Sequence, residues 1–141
     1  MENYKNILLV VDLSEDSQII GERAKAIAGD ARITLLHVVE YVPVEPMGEA
    51  LLPTVQIESQ LVERARKKLT ELAQHLSLDH VEQLVETGSI KAEIIRTAQR
   101  LACDLIVLGS RERHGLAILL NFTEDTILHA APCDVLAVRL H

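Results

Sequence analysis

Residues 6–17, NILLVVDLSEDS, decide the fold. NILLVVD (6–12) reads as one strand, rich in Ile, Leu and Val, with no polar residue alternating through its middle. A strand with one wet face alternates; a strand covered on both faces does not. Asp12 ends the run, and Ser14 offers a helix cap with Glu15 and Asp16 in the first turn. A short polar side chain there accepts a free helix N–H, and acidic groups suit the positive end of the helix dipole. A buried strand that hands over at once to a helix is half of a parallel βαβ unit.

The same alternation continues outward along the chain. Ile20, Ala24, Ile27 and Ala28 fall on one helical face, and Gly29 is a stop signal. RITLLHVV (32–39) is a second buried strand. Residues 40–54 carry Pro43, Pro46, Gly48 and Pro53, which predicts a loop longer than most connections. A long helix follows to about Leu76, with Leu61, Ala65, Leu69, Leu72 and Leu76 as its core stripe. HVEQLVE (80–86) alternates weakly, as an edge strand does, and Gly88 makes a turn. Ser89 caps a helix that buries Ile90, Ile94, Ile95, Ala98 and Leu101. DLIVLG (104–109) is the fourth strand. A loop and a short helix over about 123–130 lead past Pro132 to a fifth, DVLAVRL (134–140). The expectation is one α/β domain over 1–141, a doubly wound parallel sheet with helices on both faces.

Composition narrows the function. The chain has 141 residues and a net charge of −7. Nucleic acid and anionic membrane both need a basic face, so neither is an expected partner. Tyr4, Tyr41 and Phe122 are the only aromatics, too few to stack bases. No apolar run reaches the ~18–20 residues of a membrane span, and the N-terminus lacks a signal-peptide pattern. A cytoplasmic location is expected. Cys103 and Cys133 fit neither a CxxC nor a zinc pattern and are expected to be reduced, buried and small. His37 lies within an apolar strand and reads as a satisfied core histidine. The other histidines, at 75, 80, 114, 129 and 141, show no ligand spacing, and no catalytic or metal-binding residue is expected.

In doubly wound sheets, ligands bind outside the carboxyl ends of the strands, where strand order reverses. Asp12 follows strand one and Gly109-Ser110 follows strand four. Periodicity does not give strand order, and so does not say whether they meet. On its residues alone, Asp12 is also a helix-capping carboxylate.

KNILLVVDLSEDS, ITLLHVVE, VETGSIKAEIIRTA, CDLIVLGSR and HAAPCDVLAVRL stand in order across the chain. Together they resemble the universal stress protein family over essentially the whole length. The resemblance implies a five-stranded sheet of order 3-2-1-4-5 and a homodimer paired through the last strand, 134–140. It also implies an adenine-nucleotide site in which Asp12 holds the ribose and adenine side and the Val38 backbone meets adenine. The family's ATP loop has a glycine, two residues, a second glycine, eight or nine residues, a third glycine, then Ser or Thr. Gly109 matches the first glycine, with Ser110 and Arg111 following it. Glu112 stands at the second, Asn121 at the third and Phe122 at the hydroxyl. A spacing one residue longer puts Phe122 at the glycine and Thr123 at the hydroxyl.

These departures matter chemically. A phosphate cradle needs inward backbone N–H groups and no side chain in the way. Glu112 would set a carboxylate beside phosphate, about 4 kcal/mol of repulsion per charge pair at ~4 Å and an effective dielectric near 20. Phe122 removes a donor and adds bulk, whereas Asn121 reaches left-handed conformations and is the mildest change. Arg111, Arg113 and His114 pull the other way, since Arg is a good phosphate partner. The expectation is therefore a dimeric binding and regulatory protein with a degenerate adenine-nucleotide site. It requires no cofactor, binds ATP or another adenine nucleotide weakly, and acts on an unknown protein partner. The rivals are an ATP sensor in which Arg111 and Arg113 replace the lost contacts, and a slow ATPase or nucleotidyl transferase.

Overall fold

Eight elements follow the alternation in a computed structural model that describes residues 3–40, 51–111, 127 and 129–140, with backbone alone at 51–57 and 111. They are β1 (Asn6–Val10), α1 (Ser17–Ala28), β2 (Arg32–Glu40), α2 (Leu51–His75), β3 (Glu82–Gly88), α3 (Ile90–Arg100), β4 (Leu105–Arg111) and β5 (Asp134–Leu140). Residues 127, 129 and 130 are helical and lead into β5. The strands form one parallel sheet in the order β3-β2-β1-β4-β5. β1 leaves toward β2 on one side, and the chain later returns beside β1 as β4, so order reverses between β1 and β4.

The apolar runs divide by parity, because successive side chains point to opposite faces. Ile7, Leu9, Ile33, Leu35, Leu105 and Val107 face α1 and α2, where they meet Ile20, Ala24, Leu69 and Leu76. Leu8, Leu36, Ile106 and Leu108 face the other side, where Ile94, Ala98 and Ile127 cover them. Every one of these is buried. α2 and α1 approach closely where Gly21 faces Leu76: a Cβ on Gly21 would lie 2.3 Å from Leu76 Cδ1.

Local details differ from the sequence expectation. α1 starts at Ser17 with Asp16 as its N-cap, two residues later than Ser14 suggests, because Ser14–Ser17 first close a turn through a Ser17 N–H to Ser14 carbonyl bond of 3.1 Å. Ile27 sits at the rim of the helix's buried face, 36% exposed, while Gly21 is buried in the α2 contact. α2 begins at Leu51, so 51–54 are helix and not loop. Pro53 fits there because first-turn N–H groups have no partner within the helix. Residues 41–50, the remainder of that loop, lie outside the described residues, as do 123–126 and 128 of the short last helix. Leu61 is 37% exposed and Ala73 takes its place in the buried stripe. β3 runs two residues later than expected, and β4 continues through Ser110 and Arg111, which pair with Arg139 and Leu140. Ser89 caps α3 by position, without a side-chain hydrogen bond.

The amino ends of the strands are tied by long-range bonds. Asp104 accepts the Lys5 N–H at 2.8 Å and the Asn6 N–H at 3.0 Å, one on each oxygen. Asn6 returns a side-chain bond to the Ala102 carbonyl at 3.4 Å, and the Asp104 N–H donates to the Asn6 carbonyl at 2.9 Å. The Tyr4 hydroxyl donates to Asp134 at 2.8 Å, and this bond to a carboxylate raises the phenol's pKa. Cys103 and Cys133 are both unbridged; Cys103 is buried as expected, whereas Cys133 is only half-buried. Burial, then the neighbouring Cys133 and Asp104, push the Cys103 thiol up to about 11.

Candidate functional site

The crevice is defined by the place where β1 stops pairing. Its ladder with β2 ends at Val10↔Leu36, followed by a last bond from the Val11 N–H to the Leu36 carbonyl at 3.0 Å. Its ladder with β4 ends at Leu9↔Val107. Extended past those ends, the two registers set Val11 level with His37 and Gly109, and Asp12 level with Val38 and Ser110. The sequence left open whether Asp12 and Gly109-Ser110 meet. The registers bring them to one gap at the carboxyl edge of the sheet, with Val38 on its other side.

Asp12 is held by its own turn. One carboxylate oxygen accepts the Ser14 N–H at 2.9 Å and the Ser17 hydroxyl at 3.1 Å. Leu13, between Asp12 and Ser14, has φ 64°, in the left-handed region that β-carbon crowding disfavours for non-glycine residues. Such strain persists where surrounding contacts over-determine it, and it clusters at ligand sites. Asp12 is thus not the N-cap of α1; it is an exposed carboxylate that shapes the β1–α1 turn.

Val38 is buried in β2 and pairs in register with Glu86 of β3. Glu86 lies 3.8 Å from Arg96, which also bonds Glu93, so two carboxylates share one guanidinium on this flank. His37, next to Val38, is half-buried, with Nδ1 2.8 Å from the Val11 carbonyl oxygen. The sequence reading of a satisfied histidine holds, but it gave no hint of the partner. The only signal was chemical: a ring donor in an apolar strand must bond something.

Gly109 lies within β4, as DLIVLG (104–109) predicts, but the strand runs on through Ser110 and Arg111 instead of ending at the glycine, and the described glycines with positive φ are Gly29 and Gly88. Its missing side chain serves packing. A Cβ there would lie 2.7 Å from Ile20 Cδ1 of α1 and 2.8 Å from Leu140 Cδ1 of β5. Ser110 is half-buried beside it, and the Arg111 backbone ends the strand opposite Leu140. Glu112, Asn121, Phe122 and Thr123, with Arg113 and His114, lie outside the described residues. No group of three or more His, Cys, Asp or Glu among the described residues is placed to hold a metal ion. No described helix is long and apolar enough to cross a membrane.

The sequence model of the universal stress protein family matches residues 3–139. The chain belongs to that family. Universal stress protein A homolog 2 of Coxiella burnetii is 38% identical over 99% of this chain and 98% of its own length. Homolog 1 of the same organism is 41% identical over 96% of each. Among solved structures, universal stress protein UspA from Lactobacillus plantarum superposes with a TM-score of 0.83 at 25% identity, covering 99% of this chain and all of its own. A universal stress protein described in complex with cAMP shares the fold at a TM-score of 0.64 and 18% identity, covering 97% of this chain and 98% of its own.

Proposed function

We propose that this universal stress protein is a dimeric, cytoplasmic binding and regulatory protein whose adenine-nucleotide site keeps its nucleoside half and has lost its phosphate half. The observation that carries this reading is that β1 stops pairing at Val10 with β2 and at Leu9 with β4, at the strand-order reversal, so that Asp12 follows the end of β1 while Val38 and Ser110 continue on the two flanking strands. The sequence supplies the other half of the argument, through Glu112 and Phe122 at positions where the family's ATP loop needs bare backbone and a hydroxyl. A protein of the same fold is described in complex with cAMP, an adenine nucleotide, which is in keeping with an adenine ligand class for this crevice. No side chain is assigned a catalytic role, and turnover forms no part of the reading. Mass spectrometry of gently purified protein separates the possibilities. Absence of bound ATP is expected. Stoichiometric ATP would overturn the reading in favour of an ATP sensor using Arg111 and Arg113, and ADP with slow turnover in favour of an ATPase.

The dimer is assigned to β5, the sheet edge beyond β4. Val135, Leu136 and Ala137 are half-buried apolar residues on this edge, and an apolar open edge invites pairing with a second copy. Val135→Lys would set like charges near each other across a two-fold strand pair. Light scattering should then report a monomer; an unchanged dimer would contradict the placement.

A further inference from the structure

His37 stands where β1 and β2 part, and its bond occupies the group that a continued ladder would use. In a parallel ladder that has reached Val10↔Leu36, the next bond would run from the Val38 N–H to the Val11 carbonyl. The structure instead sets the His37 ring on that carbonyl, Nδ1 to oxygen 2.8 Å. A carbonyl oxygen only accepts, so Nδ1 carries the proton; the neutral ring is then the Nδ1–H tautomer. One residue later Asp12 begins the turn that Ser14 and Ser17 close, and Leu13 takes its left-handed conformation. The departure of β1 is thus fixed at its start by a side chain of β2. The same bond leaves the β1-facing peptide groups of buried Val38 outside the ladder, at the level of Asp12.

We propose that His37 is a positioning residue for the ligand crevice: by donating Nδ1–H to the Val11 carbonyl it holds β1 off β2 after Val11 and keeps the Val38 peptide open to a nucleobase. The part concerning a nucleobase rests on the function proposed above; the clip on Val11 does not. A donor placed at Nδ1 is what the role requires, and reach distinguishes two amide replacements of similar polarity. The amide nitrogen of Asn falls near the place of Nδ1, whereas that of Gln falls near Nε2.

The test compares native protein, His37→Asn and His37→Gln. Long-range nitrogen–proton NMR should find the native ring in the Nδ1–H form. The backbone resonances of Val11, Asp12 and Val38 should stay in place in His37→Asn and move in His37→Gln. Adenosine affinity measured by calorimetry should stay within about threefold in His37→Asn and fall at least tenfold in His37→Gln. Both variants should remain fully folded at the temperature of the titration, so that affinity reports donor placement. An Nε2–H tautomer, or backbone resonances that fail to distinguish the two variants, would overturn the clip. Adenosine affinities that follow thermal stability instead of donor placement would overturn the positioning role. If native protein binds no adenosine, the proposed ligand class falls, and the tautomer and backbone resonances alone decide the clip.

Discussion

The two ends of the sheet are built on opposite principles. At the amino end, residues 96 to 130 positions apart are tied together: Asp104 holds Lys5 and Asn6, Asn6 reaches Ala102, and Tyr4 reaches Asp134. At the carboxyl end the described bonds of Asp12 are local, within five residues, and β1 leaves through a strained Leu13. A long-range side-chain bond there, His37 to Val11, takes the place of a ladder bond and so ends the pairing of β1 with β2. Long-range ties fix topology and hold the fold together. Local turns hold a shape without closing the sheet over it. The difference is what a doubly wound fold needs if one end is to stay open to ligands.

Equal mutations at the two ends should therefore have unequal effects. Asp104→Ala strips an acceptor from two backbone N–H groups at once; bonds to charged groups are each worth ~1.5–3 kcal/mol, less where water can replace them. A loss of about 2–3 kcal/mol is expected in urea denaturation, with adenosine affinity unchanged. Asp12→Ala disturbs one turn and should cost about 1 kcal/mol, comparable to losing a cap, while weakening adenosine binding roughly tenfold. Equal stability losses, or an affinity loss confined to Asp104→Ala, would break the comparison.

The closed amino end can also be read through Cys103. With its thiol pushed up to about 11, chiefly by burial, the reactive thiolate is scarce at neutral pH. At pH 8 the thiolate fraction is roughly 1 in 1,000, against about 1 in 4 for an ordinary thiol of pKa ~8.5. Alkylation of Cys103 should be more than about 100-fold slower than that of a free thiol, and its rate should keep rising toward pH 11. The sign for stability follows: a raised acid constant favours the neutral thiol in the fold. Its contribution is complete below about pH 8.5 and fades as pH climbs through about 11. Rapid alkylation at pH 8 would show the amino end open.

A smaller effect is expected where the crevice meets the core. Gly109→Ala places a methyl against the tips of Ile20 and Leu140, and overpacking of this kind costs about 1–3 kcal/mol. Both obstructing atoms end flexible side chains, so about 1 kcal/mol, the lower end, is expected from thermal denaturation. No measurable loss would mean that the glycine is kept for a ligand and not for packing.

Much of this architecture was legible in the chain. The runs at 7–11 and 105–108 are apolar at every position, and 33–39 at all but Thr34 and His37, because each strand is covered on both faces, and all three are central strands. β5 was placed at its observed limits because Pro132 and Asp134 mark its start. Boundaries slipped where two residues had equal claims, as with Ser14 and Asp16 before α1, or where Pro53 passed for a loop residue although a first helical turn accepts it. The site divided in the same way. Asp12, Val38 and Gly109 could be named from the resemblance, but their meeting depends on the registers of β1 with β2 and β4. The packing role of Gly109 depends on Ile20 and Leu140, on elements distant in sequence. His37 was invisible as a positioning residue because its partner is a carbonyl, which leaves no trace in residue type.

The central claim is that the nucleoside half of the crevice survives and the phosphate half is closed. Calorimetric titration of ATP and adenosine into native protein and into the triple variant Glu112→Gly, Asn121→Gly, Phe122→Ser tests it most directly. Two lost hydrogen bonds to charged phosphate correspond to ~10²–10⁴ in affinity. Native protein should bind ATP near or above millimolar, on the order expected from that loss, and adenosine no worse than ATP. The triple variant should recover ATP by a similar factor and leave adenosine nearly unchanged. Micromolar ATP binding by the native protein, or no gain in the variant, would contradict it.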